Sequence, residues 1–310
     1  MNNEFTIPAY LQPGARILIV APAGAFSDRD ALDKAIRWIQ NNGWEAEVHP
    51  QTFISEGSLA GNDSLRIQVL NESFARDDIQ AVWAVRGGYG SIRIIEDLNF
   101  SLLKQNPKWI IGFSDITHFH LKSVEEKIQS IHGLMPVQFG KKIPEQVLNA
   151  TSATLRGKLP EFKIKRDSMN LHERDTSGIM TGGNAATLLS YITSCRFDFT
   201  GKILFLEDVG EHLYSIDRIF RSLNRHGIFS KINALILGQF TDIKQDTPPF
   251  PYSIKQIVRQ VTETYDLPVF FNFPAGHVQE NFPLVMGAKY KILTDDENWN
   301  LIPLKQEIHT

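Results

Sequence analysis

The stretch KWIIGFSDITHFH, residues 108–120, decides how this sequence folds. Its apolar run ends at Gly112, and Ser114 opens a polar segment that contains two histidines. A short apolar run that ends in glycine predicts a buried strand, and the segment after it predicts a helix. Ser114 therefore stands on a sharp strand-to-helix turn, which is a position that exposes a hydroxyl group.

Similar strand–helix units surround this stretch. Apolar runs predict strands at 16–24, 45–50 and 79–90, and amphipathic or polar segments predict helices at 28–43, 63–78 and 90–98. Such repeats with short connections predict right-handed crossovers and a parallel sheet with helices on both faces. Ligands bind at the carboxyl ends of strands in sheets of this kind, and three of those ends read APAG, RGGYG and GFSD.

The second half predicts a mixed arrangement. Strands are expected at 201–210, 232–242 and 267–277, helices at 182–194, 214–227 and 251–265, and a hairpin at 283–304. Residues 140–175 are charged and weakly periodic, and they are interpreted as a domain connection with a short helix. The predicted fold is α/β, with an N-terminal parallel-sheet sandwich domain over 1–145, a linker over 146–175 and a C-terminal mixed α/β domain over 176–310.

Composition narrows the class of protein. The 310 residues carry a formal net charge of −3, so no basic excess is present to neutralise a nucleic-acid backbone. The single cysteine, Cys195, excludes an intramolecular disulfide framework and is interpreted as inert packing at the end of a buried helix. The N-terminus does not resemble a signal peptide and no apolar run is long enough to span a membrane, so the expected location is the cytoplasm.

Ser114 has two interpretations. As a nucleophile it would lie beside the backbone N–H of Asp115 at a helix N-terminus, and Gly87 or Gly88 would supply a second N–H to complete an oxyanion hole. Alternatively, Ser114 is a helix N-cap with Asp115 at the first helical position. The glycine pair has alternatives of its own, since it could form a phosphate-binding loop or a tight turn.

The base that would activate Ser114 is not obvious from the same stretch. His118 and His120 follow on the same helix as Ser114. An imidazole on the flank of a helix cannot easily reach a hydroxyl group at the end of that helix, so packing or helix-surface roles are expected for both histidines. Glu207 and His277 each close a predicted strand, and a carboxylate at Glu207 could orient the imidazole of His277. The run EDVGEH, residues 207–212, also admits a metal interpretation, but its spacing is not typical of a metal site.

Together these stretches resemble the LD-carboxypeptidase family of serine peptidases, which act on murein tetrapeptides. The matching stretches keep the family's order along nearly the whole chain: VAPAG, AVRGGYGSIRIIEDL, IIGFSDIT, HGLMP, GGNAATLL, LFLEDVGEHLYSIDRIF, LILGQF and PAGHVQENFPLVMGA. The resemblance implies Ser114 as nucleophile, Glu207 and His277 as its triad partners, with Glu211 as the fallback acid.

The resemblance also implies the rest of the chemistry. The oxyanion donors would be the N–H groups of Asp115 and of a glycine in RGG, most plausibly Gly88. The bond cleaved would join an L-configured centre, diaminopimelate in the family substrate, to a terminal D-alanine, through an acyl-enzyme. The family implies a homodimer and neither a metal nor an organic cofactor; no membrane or nucleic-acid partner is expected.

Two residues are candidates for substrate binding. Arg86 offers a bidentate fork for the terminal carboxylate, or else forms a surface or interdomain ion pair. Asn184 could contact substrate, although a helix N-cap is the favoured role.

Two other functions remain open. Related serine peptidases confer immunity to peptide-nucleotide antibiotics of the microcin C type, and that branch carries tryptophan before GGN, whereas residues 140–181 contain none. A non-catalytic binding protein of the same fold is the second alternative.

Overall fold

The structure, a computed structural model, describes residues 4–193 and 197–304. Cys195, which the sequence places at a buried helix end, lies outside the described residues. The chain forms two compact units. The first runs to Leu159 and also contains Gln279–Gly287, and the second runs from Pro160 to Val278 and resumes at Ala288.

The first unit contains a sheet flanked by helices. Numbered in chain order, its described strands are β1 (Arg16–Val20), β2 (Glu45–Val48), β3 (Ala81–Ala84), β4 (Trp109–Gly112), β5 (Ser130–His132) and β11 (Leu284–Met286). Its described helices are α1 (Arg29–Asn41), α2 (Asp63–Ala75), α3 (Phe100–Gln105), α4 (Thr117–Glu125) and α5 (Glu145–Leu155).

The strand order is β11-β5-β4-β3-β1-β2, and β1 to β5 are parallel. Strands β1, β3 and β4 are neighbours and are almost wholly buried, as expected for the centre of a parallel sheet. Their carboxyl ends therefore bring the segments APAG, RGGYG and FSD to one edge of the sheet.

The second unit contains a mixed sheet. Its described strands are β6 (Phe162–Lys165), β7 (Thr176–Asn184), β8 (Lys202–Val209), β9 (Ala234–Thr241), β10 (Val269–Phe270), β12 (Lys289–Thr294) and β13 (Asn298–Pro303). Its described helices are α6 (Ala185–Ile192), α7 (Leu213–Arg225) and α8 (Ile254–Thr262).

The strand order of this second sheet is β10-β9-β8-β7-β12-β13-β6. Strands β7 to β10 are parallel, whereas β12, β13 and β6 are antiparallel to their neighbours. The predicted α/β class with a mixed C-terminal half is confirmed.

The structure differs from the sequence interpretation in three places. The short helix expected in the connection is present as α5, but the connection also contains strand β6, because Phe162 is buried. Of the predicted hairpin, β12 and β13 pair as expected, but β11 joins the first sheet as an antiparallel edge strand.

The segment 90–98, expected as a helix, instead forms two 3-10 turns. The N–H of Ser91 is bonded to the carboxylate of Asp115, which ties the start of the segment to a neighbouring strand end. Among the described residues, none of the helices is long and apolar enough to cross a membrane.

Candidate active site

Ser114 occupies a tight turn between β4 and α4. It opens a 3-10 turn, Ser114–Ile116, that leads directly into the helix. Its φ of 64° lies in the left-handed region, which non-glycine residues rarely adopt, and its side chain is half-buried. The cap positions of the two helical segments are Phe113 and Ile116, and neither segment has a side-chain cap. Ser114 is therefore not a helix N-cap.

Gly112 makes this turn possible. A Cβ at Gly112 would lie 2.9 Å from Ile116 Cγ1 and 3.2 Å from the Cβ of Ala84. The chain can thus fold back on itself directly after β4 only because this position has no side chain.

The glycine loop after β3 packs against the serine. A Cβ at Gly87 would lie 2.9 Å from Ser114 Cβ, 3.1 Å from Ser114 Oγ and 3.3 Å from the backbone nitrogen of Asp115. Gly88 is exposed and has a φ of +104°, which favours glycine. The loop is held by the N–H of Gly24, which donates to Gly87 O at 3.1 Å. Gly87 therefore lies directly against Ser114, whereas the nearest neighbours of Gly88 are Gly24 and Arg86.

Asp115 presents its backbone to the same place. Its N–H belongs to the first turn of the helical segment, where N–H groups have no partner within the helix. Its carboxylate is buried and accepts from the N–H of Ser91 at 2.8 Å. Burial raises the pKa of this carboxyl, although the Ser91 contact opposes the shift.

His118 and His120 are interior residues of α4, so the packing role is correct and a helix-surface role is wrong. His118 Nδ1 lies 2.7 Å from Ser91 Oγ. His120 Nε2 donates to the carbonyl of Gly112 at 2.8 Å, and its Nδ1 lies 2.8 Å from Ser130 Oγ. Burial lowers the pKa of each imidazole to about 4, so both are neutral at pH 7.

Arg86 lies at the base of the glycine loop. Its Nη1 donates to the carbonyl of Ala25 at 2.9 Å, and the side chain is half-buried. Within the described ranges it forms no ion pair, so the surface ion-pair alternative finds no partner there.

The second unit brings Glu207 and His277 together, 70 residues apart in sequence. His277 Nδ1 lies 2.8 Å from Glu207 Oε2. The glutamate side chain is fully buried, whereas that of His277 is 21% exposed. Because the carboxylate accepts the Nδ1 proton, Nε2 of the neutral imidazole is left with a lone pair that can take up a proton.

A bulge in β9 shapes this contact. Leu206 pairs with Leu237 and Asp208 with Phe240, so two residues of β9 oppose Glu207. One of the two, Gln239, donates its N–H to Ala275 O at 2.9 Å and bridges to Gly276. The loop that carries His277 is thereby attached to the sheet.

Gly276 permits the close approach. A Cβ there would lie 2.9 Å from Glu207 Oε2, and the φ of +125° favours glycine. Any side chain at this position would displace the carboxylate from His277.

Charge around His277 raises its basicity. Burial alone would lower the pKa of the imidazole, but the hydrogen bond and charge of Glu207, with the charges of Asp208 and Asp242, outweigh burial and raise it. Burial and the adjacent Glu207 raise the pKa of Asp208 to about 6.

Asn184 is the N-cap of α6, as the sequence favoured. Its Oδ1 accepts from Thr187 N at 3.0 Å, and its Nδ2 donates to Asp208 Oδ1 at 2.8 Å. Asp208 also accepts from Ala186 N at 3.0 Å. The fallback acid, Glu211, is half-buried, and its carbonyl accepts from Lys244 N at 3.0 Å.

Sequence reasoning missed two supporting residues, Ser91 and Arg66. Arg66 on α2 is buried and donates to Pro22 O at 2.9 Å and Gly90 O at 2.8 Å, which joins the APAG and RGGYG segments. A serine or arginine without a sequence motif gives no local signal of such a role.

Comparison with known proteins decides the family. The profile described as LD-carboxypeptidase N-terminal domain matches residues 17–133, and that described as LD-carboxypeptidase C-terminal domain matches residues 177–292. The chain belongs to the LD-carboxypeptidase family. This is a family of peptidases, and the resemblance in the sequence is confirmed.

Individual members of the family match most of the chain. The murein tetrapeptide carboxypeptidase of Pseudomonas aeruginosa is 28% identical over 86% of this chain and 89% of its own length. The crystal structure of muramoyltetrapeptide carboxypeptidase from Oxalobacter formigenes has a TM-score of 0.83 at 27% identity, covering 94% of this chain and 99% of that one.

A relative with a different role also matches. The microcin C7 self-immunity protein of Escherichia coli is 25% identical over 90% of this chain and 89% of its own length. Family membership alone therefore does not choose between the two kinds of substrate.

Proposed function

We propose that this protein is a serine carboxypeptidase that removes the terminal D-alanine of murein tetrapeptides by cleaving the bond after an L-configured centre. The observation that carries the proposal is the Glu207–His277 hydrogen bond of 2.8 Å, which prepares Nε2 of a basic imidazole as a proton acceptor. A murein peptide as substrate is supported by the name of the P. aeruginosa relative.

The proposed reaction begins at Ser114. His277 Nε2 takes the hydroxyl proton as Ser114 Oγ attacks the carbonyl of the scissile bond, and Glu207 stabilises the imidazolium. The oxyanion is bound by the N–H of Asp115 and by an N–H of the glycine pair, Gly88 as the resemblance implies, with Gly87 closest to Ser114 Oγ.

The tetrahedral intermediate formed by the attack of Ser114 Oγ then collapses. The bond to the amine breaks as His277 donates its proton to the leaving nitrogen, which releases D-alanine and leaves an acyl-enzyme at Ser114. Water, deprotonated by His277, attacks the ester. The bond between the acyl carbon and Ser114 Oγ breaks as His277 returns the proton to Oγ, and the shortened peptide leaves with a new carboxyl group.

Recognition of the substrate's terminal carboxylate is assigned to Arg86. One nitrogen of its guanidinium is bound to Ala25 O, and an arginine fork retains further N–H donors for a bidentate contact. Asn184 is retained only as a secondary substrate contact, since its side chain already caps α6 and binds Asp208.

The domain division 1–145, 146–175 and 176–310, the cytoplasmic setting and the homodimer belong to the same proposal. The dimer rests on the resemblance.

The test is mass spectrometry of purified murein tetrapeptide after incubation with the protein. The wild type should release D-alanine, and Ser114→Ala and His277→Ala should not. A fluorophosphonate probe should label the wild type but not Ser114→Ala. A folded wild type that the probe does not label would refute the serine mechanism.

The same assay addresses the alternative substrate. Intact tetrapeptide after incubation with probe-labelled, active protein would refute the murein assignment, and a peptide-nucleotide conjugate of the microcin type would then be tested in its place. The absence of tryptophan from residues 140–181 argues against a base-stacking residue in that segment.

A further inference from the structure

Ser91 links the two segments that carry the proposed oxyanion donors. Its N–H donates to Asp115 Oδ2 at 2.8 Å, and its hydroxyl donates to Asp115 O at 2.7 Å. Ser91 Oγ also lies 2.7 Å from His118 Nδ1. Ser91, Asp115 and His118 are 0%, 5% and 2% exposed, so these bonds are shielded from water.

The chemistry of the acceptors fixes the direction of the hydrogen bonds. A carbonyl oxygen only accepts, so the proton between Ser91 and Asp115 O is that of the serine hydroxyl. The proton between Ser91 Oγ and His118 therefore comes from Nδ1 of the imidazole. His118 Nδ1–H thus donates to Ser91 Oγ and also lies 3.3 Å from Asp115 O, so the imidazole reaches this carbonyl both directly and through the Ser91 hydroxyl.

The position of Ser91 in the sequence shows why these hydrogen bonds matter for the proposed oxyanion donors. It directly follows the RGGYG segment, whose Gly87 lies against Ser114, and Asp115 directly follows Ser114. The hydrogen bonds of the Ser91 backbone and side chain to Asp115 therefore connect the end of β4, next to Ser114, to the loop that contains Gly87 and Gly88.

We propose that Ser91 and His118 are positioning residues, which fix the spacing between the N–H of Asp115 and that of the glycine loop. This inference rests on the proposed function, since it assigns those N–H groups to the oxyanion. Neither side chain touches the substrate, and both act through Asp115. Because burial lowers the pKa of His118 to about 4, the network keeps one protonation state over the neutral range.

Substitutions can separate positioning from packing. Ser91→Ala removes the hydroxyl, and His118→Leu removes the Nδ1 donor. His118→Asn retains an N–H donor at the same number of bonds from Cβ and should restore function. Ser73→Ala is the matched control, because Ser73 is 1% exposed and also loses one buried bond, from its hydroxyl to Val69 O at 2.6 Å.

The experiment measures kcat and KM for D-alanine release from murein tetrapeptide, the labelling rate with a fluorophosphonate, and the thermal unfolding midpoint of each variant. Ser91→Ala and His118→Leu should lower kcat and the labelling rate by about 10- to 100-fold with KM unchanged, since a misplaced oxyanion donor acts on the transition state. His118→Asn should lie within a few-fold of wild type, and Ser73→Ala should match it.

Several results would overturn the inference. The inference would fail if folded Ser91→Ala had the kcat of the wild type. It would also fail if kcat fell no further in Ser91→Ala than in Ser73→Ala. If Ser91→Ala does not fold, equal kcat values for His118→Leu and His118→Asn would be decisive against it. A wild type that labels but leaves tetrapeptide intact refutes the proposed substrate instead, and the labelling rates still test the positioning role.

Discussion

At the scale of the residue, the Glu207–His277 contact depends on a missing side chain. Gly276→Ala should lower kcat by roughly 100-fold, because the new Cβ would lie 2.9 Å from Glu207 Oε2 and displace the carboxylate. Gly210→Ala is the control: its φ is +74° but nothing lies within 4 Å of a new Cβ. If kcat fell equally in Gly276→Ala and Gly210→Ala, backbone strain at the substituted glycine would explain the loss without any displacement of Glu207.

The raised pKa of His277 predicts a pH dependence. The imidazole must be neutral to accept a proton, so kcat/KM should fall as pH drops through this raised pKa. Glu207→Gln removes a negative charge that helps to raise the pKa of His277 against the effect of burial. The acidic limb of the kcat/KM profile should therefore move to lower pH, and kcat should fall.

Glu211→Gln is the companion variant in that pH titration. It should leave the acidic limb in place, because the carboxylate bonded to His277 is that of Glu207. Movement of the limb in Glu211→Gln, with none in Glu207→Gln, would transfer the acid role to Glu211.

The strand-to-turn pattern was sufficient to predict where Ser114 lies, whereas its role as nucleophile came from the resemblance and stays a prediction. The exclusion of His118 and His120 as bases followed from their place on the same helix. The burial of both histidines could not be predicted, since it depends on what packs over α4. Ser91 was missed for the same reason: its partners lie 24 and 27 residues away.

At the scale of the element, helix α2 holds two active-site segments through Arg66. Arg66→Met should lower the free energy of unfolding by about 3 kcal/mol or more, since it leaves the carbonyls of Pro22 and Gly90 without their buried donor. Arg93→Met is the matched variant, because Arg66 and Arg93 both form an ion pair with Asp63, but the Arg93 side chain is 47% exposed and that of Arg66 is buried. The cost of Arg93→Met should be much smaller, because solvent screens an exposed ion pair.

Chemical denaturation of the two variants measures this difference. Equal midpoints for Arg66→Met and Arg93→Met would contradict the anchoring role of α2. The sequence predicted α2 itself, because its periodicity is local, but the arginine's target carbonyls belong to turns that only the folded sheet brings near the helix.

At the scale of the whole molecule, the first unit is completed by residues from late in the chain. Leu284, Val285 and Met286 of β11 are at most 1% exposed and cover the edge of β5. Their burial contributes roughly 5 kcal/mol as an upper estimate, which is comparable to the total stability of a domain. A fragment of residues 1–159 should therefore aggregate through the open edge of β5.

A fragment of residues 1–159 joined through a Gly/Ser linker to 279–287 should instead unfold cooperatively on heating. The same fusion with Val285→Asp controls for the linker and should behave like the shorter fragment. Cooperative unfolding of residues 1–159 alone, at the same temperature as the fusion, would refute the role of β11. The sequence could not predict that β11 belongs to the first sheet, since an apolar run of three residues fits either sheet.

The backbone of Ser114 has a consequence for evolution. A serine held at a φ of 64° costs the fold roughly 1–3 kcal/mol, which a glycine would avoid. Ser114→Gly should therefore lose all peptidase activity yet melt at a higher temperature than Ser114→Ala, as calorimetry can measure. Stability alone would favour glycine at this position, so the proposed role of Ser114 sets activity against stability at a single residue.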